Sequence, residues 1–472
     1  RASLAFDGGP PQGPPRPVGL AGEEELWWEA VPQPRLWSPS SPELHTLIVG
    51  LWDGGRELDR ATARFGLRTV EAAEGQILLN GEPLALRGVN RHETHPFGGA
   101  ALPPEQLQQD VALLRELGAN FVRGSHYSQD QRWLDLCDEA GLLVWEETLG
   151  WQPQLEHLQD RLFLLQQLSA LDETLNASAS HPSVIMWGFL NEGEADSLDA
   201  RPAYKALADY ARSRDPTRLV SWGSKKKTED LTLDLADVVS FNDYPGWYDS
   251  SVEEIPSVWA GYAAWARRQH PGKPLLVSEV GAEGLAGLRS VDLGMWSEDL
   301  QAAIVYTSIL AAHAAGFVGV ALWQFADSRV DQSLFFQDNP RASPLANVSD
   351  ADWVEEVAVT YEATNSPYGS HLPLRPRGLN SKGLVSLDRG HRKAAFEAAR
   401  HAFRGPCLAP GAAAGGQAPG WPSPVRLVVA AGFPGAGRQP CEGCFLAVHT
   451  WNAADRPEGE PGLRAHAHAR EA

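Results

Sequence analysis

The sequence predicts an α/β protein: a (β/α)8 barrel preceded by a partial immunoglobulin-like β-sandwich. Three observations carry that prediction. Eight short apolar runs with strand character recur between residues 84 and 327, most of them separated by amphipathic helical patterns. Strand–helix alternation repeated eight times specifies a parallel sheet that closes on itself. Ahead of it, residues 24–72 read as short strands, "ELWWEAV", "LHTLIVGLWD" and "ATARFGLRTVE", with turn residues "DGG" at 53–55. That is the pattern of an antiparallel sandwich.

The barrel runs are "LALRGVN" (84–90), "NFVRGSHY" (120–127), "LLVWEET" (142–148), "VIMWGFLNE" (184–192), "RLVSWGS" (218–224), "VVSFNDY" (238–244), "PLLVSEVG" (274–281) and "GVALWQFAD" (319–327). Between the first two, residues 104–118 place Leu107, Val111, Leu114 and Leu117 on one helix face. Further helices are expected over 297–316 and, after the eighth strand, over 392–403. The domain limits follow. Residues 1–23, rich in Pro and Gly, are expected to be disordered, and residues 24–73 to form the partial sandwich. Residues 74–405 are the barrel, and residues 406–472 a low-complexity tail without order. Ser328 to Leu379 reads as a long irregular loop on the catalytic face.

A net charge of −20, offset by no strong basic stretch, argues against nucleic acid and anionic membrane surfaces as partners. "KKK" at 225–227 reads as a solvated loop. No apolar run reaches the roughly 18 residues of a membrane span. Four Cys are too few for a disulfide framework, and the C-x-x-C of Cys441 and Cys444 has no second pair to make a zinc site. Sequons at Asn176 and Asn347 would matter in a secreted chain. The first residues lack a signal-peptide pattern and an initiator Met, so the chain reads as a piece of a longer one and its compartment stays unread.

The polar residues fall at the strand ends. Asn90, Arg91, His92 and Glu93 end the first run, and Ser125, His126 and Tyr127 the second. Glu146 and Glu147 end the third, Asn191 and Glu192 the fourth. Asn242, Asp243 and Tyr244 end the sixth, Ser278 and Glu279 the seventh, and the eighth adds Trp323 and Asp327. One such end merely solvates a loop. Six together mark a shared site, because barrel enzymes act at the C-terminal ends of their strands. G-x-S-x-G, P-loop and H-E-x-x-H motifs are absent from the sequence. Glu192 and Glu279 belong to strands that face each other across a barrel mouth. Two carboxylates across a cleft equip a site for glycoside hydrolysis, one attacking the anomeric carbon and one exchanging a proton with the leaving oxygen and then with water. Trp145, Trp187, Trp247, Tyr248 and Trp323 suit stacking on sugar faces, although any one Trp is ordinarily core packing.

With "LLNGEPLALRGVNRHETHP" (78–96), "VRGSHYSQDQRWLDLCDEAGLLVWEE" (122–147), "WGFLNEG" (187–193) and "PLLVSEVGAEG" (274–284) in order, the chain resembles glycoside hydrolase family 2 from residue 34 to about residue 403. This is the family of β-galactosidases, β-glucuronidases and β-mannosidases. The resemblance implies that Glu192 is the acid/base, Glu279 the nucleophile, and Asn191 a contact to the hydroxyl beside the anomeric carbon. It implies a retaining mechanism, with carboxyl groups about 5–5.5 Å apart. "FNDYPGWY" (241–248), with Tyr244 and Tyr248, and "LNSKG" (379–383), with Asn380 and Lys382, are similar to β-glucuronidases, whose N-x-K motif holds the sugar carboxylate. His126 and Trp323 join these as substrate contacts. "GVNRHE" (88–93) leans towards galactosidases, so β-galactoside stays an alternative, as does a sugar-binding fragment without turnover. The family's N-terminal sugar-binding-like sandwich is expected to lie outside this chain. No cofactor and no metal ligand cluster is expected; the partner is a carbohydrate, and the oligomeric state is open.

Overall fold

The computed structural model describes residues 2–11, 22–28, 34–329, 379–404, 425–433 and 445–452. Eight parallel strands form the barrel: β1 (Leu86–Arg91), β2 (Phe121–Gly124), β3 (Leu143–Glu147), β4 (Val184–Gly188), β5 (Leu219–Ser221), β6 (Val239–Asn242), β7 (Leu275–Val280) and β8 (Gly319–Leu322). The sheet runs β5-β4-β3-β2-β1-β8-β7-β6, and the ring closes between β5 and β6 through an isolated parallel bridge, Ser224 to Phe241. Helices α1 (Pro104–Leu117), α2 (Gln131–Ala140), α3 (Arg161–Ser178), α4 (Arg201–Arg214), α5 (Ile255–Gln269), α6 (Glu298–Ala314) and α7 (Ala394–Arg404) follow every strand except β5. The β5–β6 crossover carries two short 3-10 turns instead, Lys227–Glu229 and Leu233–Leu235.

The strands are buried on both faces, which explains why they read as continuous apolar runs. Side chains alternate between two cores. Val122, Val144, Trp187 and Val277 pack outward among helix residues such as Leu114, Leu134 and Ile304. Phe121, Leu143, Trp145, Met186 and Leu276 form a second cluster that includes no helix residue, the filling inside the barrel. Trp37 and a small antiparallel sheet (Val70–Ala73, Gln76–Leu79, Glu82–Pro83) complete that inner core through Val70, Ile77 and Leu79. This sheet leads straight into β1, so it closes the end where the strands begin and leaves the opposite end for the site.

A buried polar cluster joins this floor to the barrel. Arg68 donates to the carbonyls of Pro182, Val184 and Thr217. Arg218 donates to Asp215 Oδ2 (2.7 Å) and to the carbonyls of Ala179, His181 and Val184. Asp215 also accepts from the Trp187 indole (2.9 Å) and from the Thr217 hydroxyl and amide. Burial alone would raise the Asp215 carboxyl, but Arg218 and Thr217 outweigh it and hold it far below the ordinary carboxylate range.

The segments flanking the barrel depart from expectation. Ala2–Phe6, expected to be disordered, is a strand with Ala2, Leu4 and Phe6 buried. It pairs with His45–Asp53, which pairs in turn with Arg56–Phe65. In the expected structureless tail, Val425–Phe433 and Phe445–Asn452 form an antiparallel sheet with Gly22–Trp28. A pairing across some 400 residues carries no local pattern for a sequence reading to catch. The greater part of the expected loop after β8 (residues 330–378), Cys407, Cys441, Cys444 and the Asn347 sequon lie outside the described residues. No described helix is long and apolar enough to cross a membrane.

Asp215→Ala would leave the buried Arg218 charge without its carboxylate, a change that typically costs about 3–5 kcal/mol. Thermal or denaturant unfolding should show that loss at neutral pH. Because the Asp215 pKa is depressed on folding, its contribution is complete above the ordinary Asp value near 4 and fades as pH falls below it. An unchanged midpoint at pH 7 would contradict this account of the floor.

Candidate active site

Arg123 sits on β2 with no exposed surface, and its guanidinium reaches groups from four other strands or the loops beyond them. It donates to Asn90 Oδ1 (2.9 Å), Glu147 Oε1 (2.7 Å), Asn191 Oδ1 (2.6 Å) and Glu279 Oε1 (2.7 Å). Burial alone would lower the Arg123 pKa; Glu147 and Glu279 raise it instead. Glu147 shows the converse balance. Burial would raise it, while Arg123 and His126 (Nδ1 at 2.9 Å) hold it low and ionised.

Glu279 owes its direction to a bulge. Phe241 and Asn242 of β6 pair with Val277 and Glu279, and Val320 and Leu322 of β8 with Val277 and Val280. β7 therefore carries one extra residue against both neighbours, which turns the strand locally and re-aims its side chains. Glu279 Oε2 accepts from the Tyr244 hydroxyl at 2.6 Å and Oε1 from Arg123. Burial raises the Glu279 carboxyl above its usual range. The charge of Glu192 adds to the rise, against the opposing effects of Arg123, His126 and Tyr244.

Glu192 is placed by a loop. β4 ends at Gly188, and Leu190 (φ 50°) and Glu192 (φ 55°) take the left-handed conformation that non-glycine residues adopt at an energetic cost. The Glu192 amide donates to Gly223 O at 2.9 Å. Its carboxylate accepts from Gln152 Nε2 (2.8 Å) and Asn242 Nδ2 (3.0 Å). Gly223 is required: a Cβ there would lie 2.6 Å from Asn191 Oδ1 and 2.7 Å from Asn242 Oδ1.

Both glutamates open on one cavity of about 850 Å³, which Tyr244, Tyr248, Trp323 and Lys382 also line. His126 and Asn380 line it too. The His126 ring stacks on Trp323 with centroids 5.2 Å apart, and His92 meets the same indole edge-on. Burial lowers the His92 pKa to about 3, so that ring is neutral at physiological pH. Lys382 is buried in the wall, its ammonium 2.9 Å from Tyr248 Oη and within 6 Å of the Tyr244, Trp247 and Tyr248 rings. Asn380 Oδ1 accepts from the Lys382 amide.

The Asn191 side chain is buried beside the cavity, its Oδ1 bonded to Arg123 and Asn242 and its Nδ2 3.4 Å from His126 Nε2. Other expectations are corrected. Trp145 and Trp187 offer no sugar-stacking face, because strand parity sends one into the barrel and the other among the helices. Trp247 is buried as well, though its ring flanks the Lys382 ammonium. Of the lysines read as a solvated loop, Lys225 and Lys227 line the cavity, and Lys227 pairs with Asp243 at 2.9 Å. Sequence reasoning missed Arg123 and Gln152. Arg123 was visible as a charge inside the apolar run "NFVRGSHY", whereas Gln152, in a loop, gave no signal. Among the described residues one group could ligate a metal, Asp135, Asp138 and His181. It lies away from the cavity, and His181 Nδ1 is already bonded to Asp138 at 2.6 Å.

A (β/α)8 barrel with two glutamates, an aromatic wall and buried amides at the C-terminal mouth of its strands has the make-up of a glycoside hydrolase barrel. Glycosyl hydrolases family 2, TIM barrel domain, matches residues 70–336, and Glycosyl hydrolases family 2 matches residues 20–68. The chain belongs to glycoside hydrolase family 2. It is 32% identical to a β-glucuronidase of Rattus norvegicus over 315 residues, 65% of this chain and 48% of that protein. It is 39% identical to a β-galactosidase of Thermoanaerobacter pseudethanolicus over 214 residues, 45% of this chain and 27% of that one. A family 2 β-galacturonidase from Eisenbergiella tayi, solved bound to galacturonate, superimposes with a TM-score of 0.68 at 29% identity, covering 85% of this chain and 66% of that one. The chain spans about half the length of the β-glucuronidases it matches.

The Glu279 carboxyl should titrate above the ordinary Glu value of about 4.3. Tyr244→Phe removes a donor to the ionised form, so the carboxyl should move higher still. Carboxyl 13C NMR titration of both proteins reads the two values; a shift downward in Tyr244→Phe would contradict the assignment.

Proposed function

We propose that the chain carries the catalytic part of a retaining exo-β-glycosidase that hydrolyses terminal β-linked uronides, β-D-glucuronides foremost. In the first step, an oxygen of ionised Glu279 attacks the anomeric carbon while the bond to the leaving oxygen breaks. The proton of Glu192 goes to that oxygen. In the second step, Glu192 takes a proton from water. The water oxygen bonds to the anomeric carbon, and the bond to Glu279 breaks. Arg123 and Tyr244 bond the Glu279 carboxylate in its ionised form. Gln152 and Asn242 donate to Glu192, holding it towards the leaving group. His126, Trp323 and Tyr248 contact the sugar. Asn191 bonds the hydroxyl beside the anomeric carbon through Nδ2, its Oδ1 being held by Arg123 and Asn242.

One observation carries the uronide reading: the Lys382 ammonium is buried in the cavity wall behind Tyr244, the residue that touches Glu279. An ammonium beside an amide suits a carboxylate, and a chain of charge −20 needs local positive charge to receive an anionic sugar. A second reading, a neutral β-galactoside, is favoured by the run "GVNRHE" (88–93) and by the 39% identity to a β-galactosidase over 214 residues.

Glu279→Ala should abolish turnover, with azide restoring part of it as product of inverted configuration. Glu192→Ala should spare substrates with good leaving groups far more than poor ones. Small and equal effects would refute both roles. Lys382→Ala removes a charge-assisted contact, about 1.5–3 kcal/mol, so aryl β-glucuronide turnover should fall roughly tenfold to a hundredfold or more. Turnover of an aryl β-galactoside should be spared or improved. Equal losses on the two substrates would make Lys382 structural and remove the best support for the uronide reading.

A further inference from the structure

Glu283, just beyond β7, is buried without lining the cavity. One oxygen accepts from the Ser381 hydroxyl at 2.8 Å, and the other faces the Lys382 ammonium at 3.3 Å. The backbone of this turn has other supports. Gly383 N donates to Asp327 Oδ1 (2.9 Å), Lys393 Nζ to Ser381 O (2.8 Å), Gln301 Nε2 to Gly383 O (2.9 Å) and Gly284 N to Ser381 O (3.0 Å). What Glu283 adds is a carboxylate that grips two side chains, one of them the lysine on the cavity wall.

That lysine needs a directional anchor. Its four-carbon stem is flexible. The three rings around the ammonium attract it through their faces without fixing one direction. Its other polar contact, Tyr248, is half-exposed. We propose that Glu283 is a positioning residue that aims the Lys382 ammonium at the sugar's C6 substituent, and so sets the preference for a C6 carboxylate over a neutral C6 group. The inference rests on the uronide reading. It assigns Glu283 no contact with substrate and no part in bond making.

The test compares Glu283→Ala and Glu283→Gln in the full chain, each with and without Lys382→Ala, on aryl β-glucuronide and aryl β-galactoside. Glu283→Ala should raise the glucuronide KM roughly tenfold while the galactoside constants stay within about twofold, the split that loss of a substrate-specific contact produces. Glu283→Gln keeps one oxygen acceptor, which can face Lys382 while its NH2 donates to the Ser381 hydroxyl, so it should hold the glucuronide KM within about threefold of the parent. In the Lys382→Ala background, Glu283→Ala should change the glucuronide constants no further, because the two residues act as one unit. Three results would overturn the proposal: equal losses on both substrates, a tighter glucuronide KM in either variant, or a full Glu283→Ala effect in the absence of Lys382. If Lys382→Ala shifts the substrate ratio and Glu283→Ala does not, only the positioning role fails. If neither shifts it, the uronide reading and the positioning role fail together.

Discussion

The mouth of this barrel is organised by one buried cation. Arg123 has no surface exposed to solvent, so its charge is met by protein acceptors, and it finds them on Asn90, Glu147, Asn191 and Glu279. A buried charge left unmatched costs several kcal/mol, so β1, β3, β7 and the loop after β4 are drawn to a common point. The geometry of the proposed nucleophile is thus a by-product of satisfying an arginine. The same contact keeps a carboxylate usable in a buried setting. Burial still pushes Glu279 up, but two of its partners, Arg123 and Tyr244, donate to the ionised form.

Two local departures from regular structure complete the arrangement, and each sits beside a glutamate. The extra residue in β7 turns Glu279, and the left-handed residues after β4 turn Glu192. Regular strands could not do this, because strict alternation gives each side chain to one core or the other. The irregularities are held in place by specific bonds. The Glu192 amide to Gly223 is one, and the contact between the Asn191 and Asn242 side chains, which only a glycine at 223 leaves room for, is another.

This separates what could be read in the sequence from what could not. Eight apolar runs and their polar ends are local patterns, so the barrel and the identity of its mouth residues were legible. Orientation was not. Counting along "LLVSEV", Glu279 shares parity with Leu275 and Val277, both of which face the helices. Without the bulge it would point with them. The same parity argument, applied to Trp145 and Trp187, would have removed them from the sugar-stacking candidates. Arg123 showed as a charge in an apolar run, but its partners lie 24 to 156 residues away, beyond any window. The flanking sheets failed for the same reason, since Gly22–Trp28 finds its partner strand beyond residue 424.

The joint between β5 and β6 is the place where the ring is least laddered. β5 has three residues and no α-helix follows it; where the other neighbours share backbone ladders of several residues, it meets β6 through one isolated bridge and through the Ser221 hydroxyl, 2.8 Å from both Val238 O and Ser240 Oγ. A closed hoop can change its circumference only by stretching every ladder. A split collar changes it at the slit. Gly223 lies on one lip and Asn242 on the other, so any widening or narrowing of the slit is transmitted first to the amide that holds Glu192. The Glu192 side of the mouth therefore sits beside the most lightly laddered joint of the ring, while Glu279 is bonded to Arg123 across it.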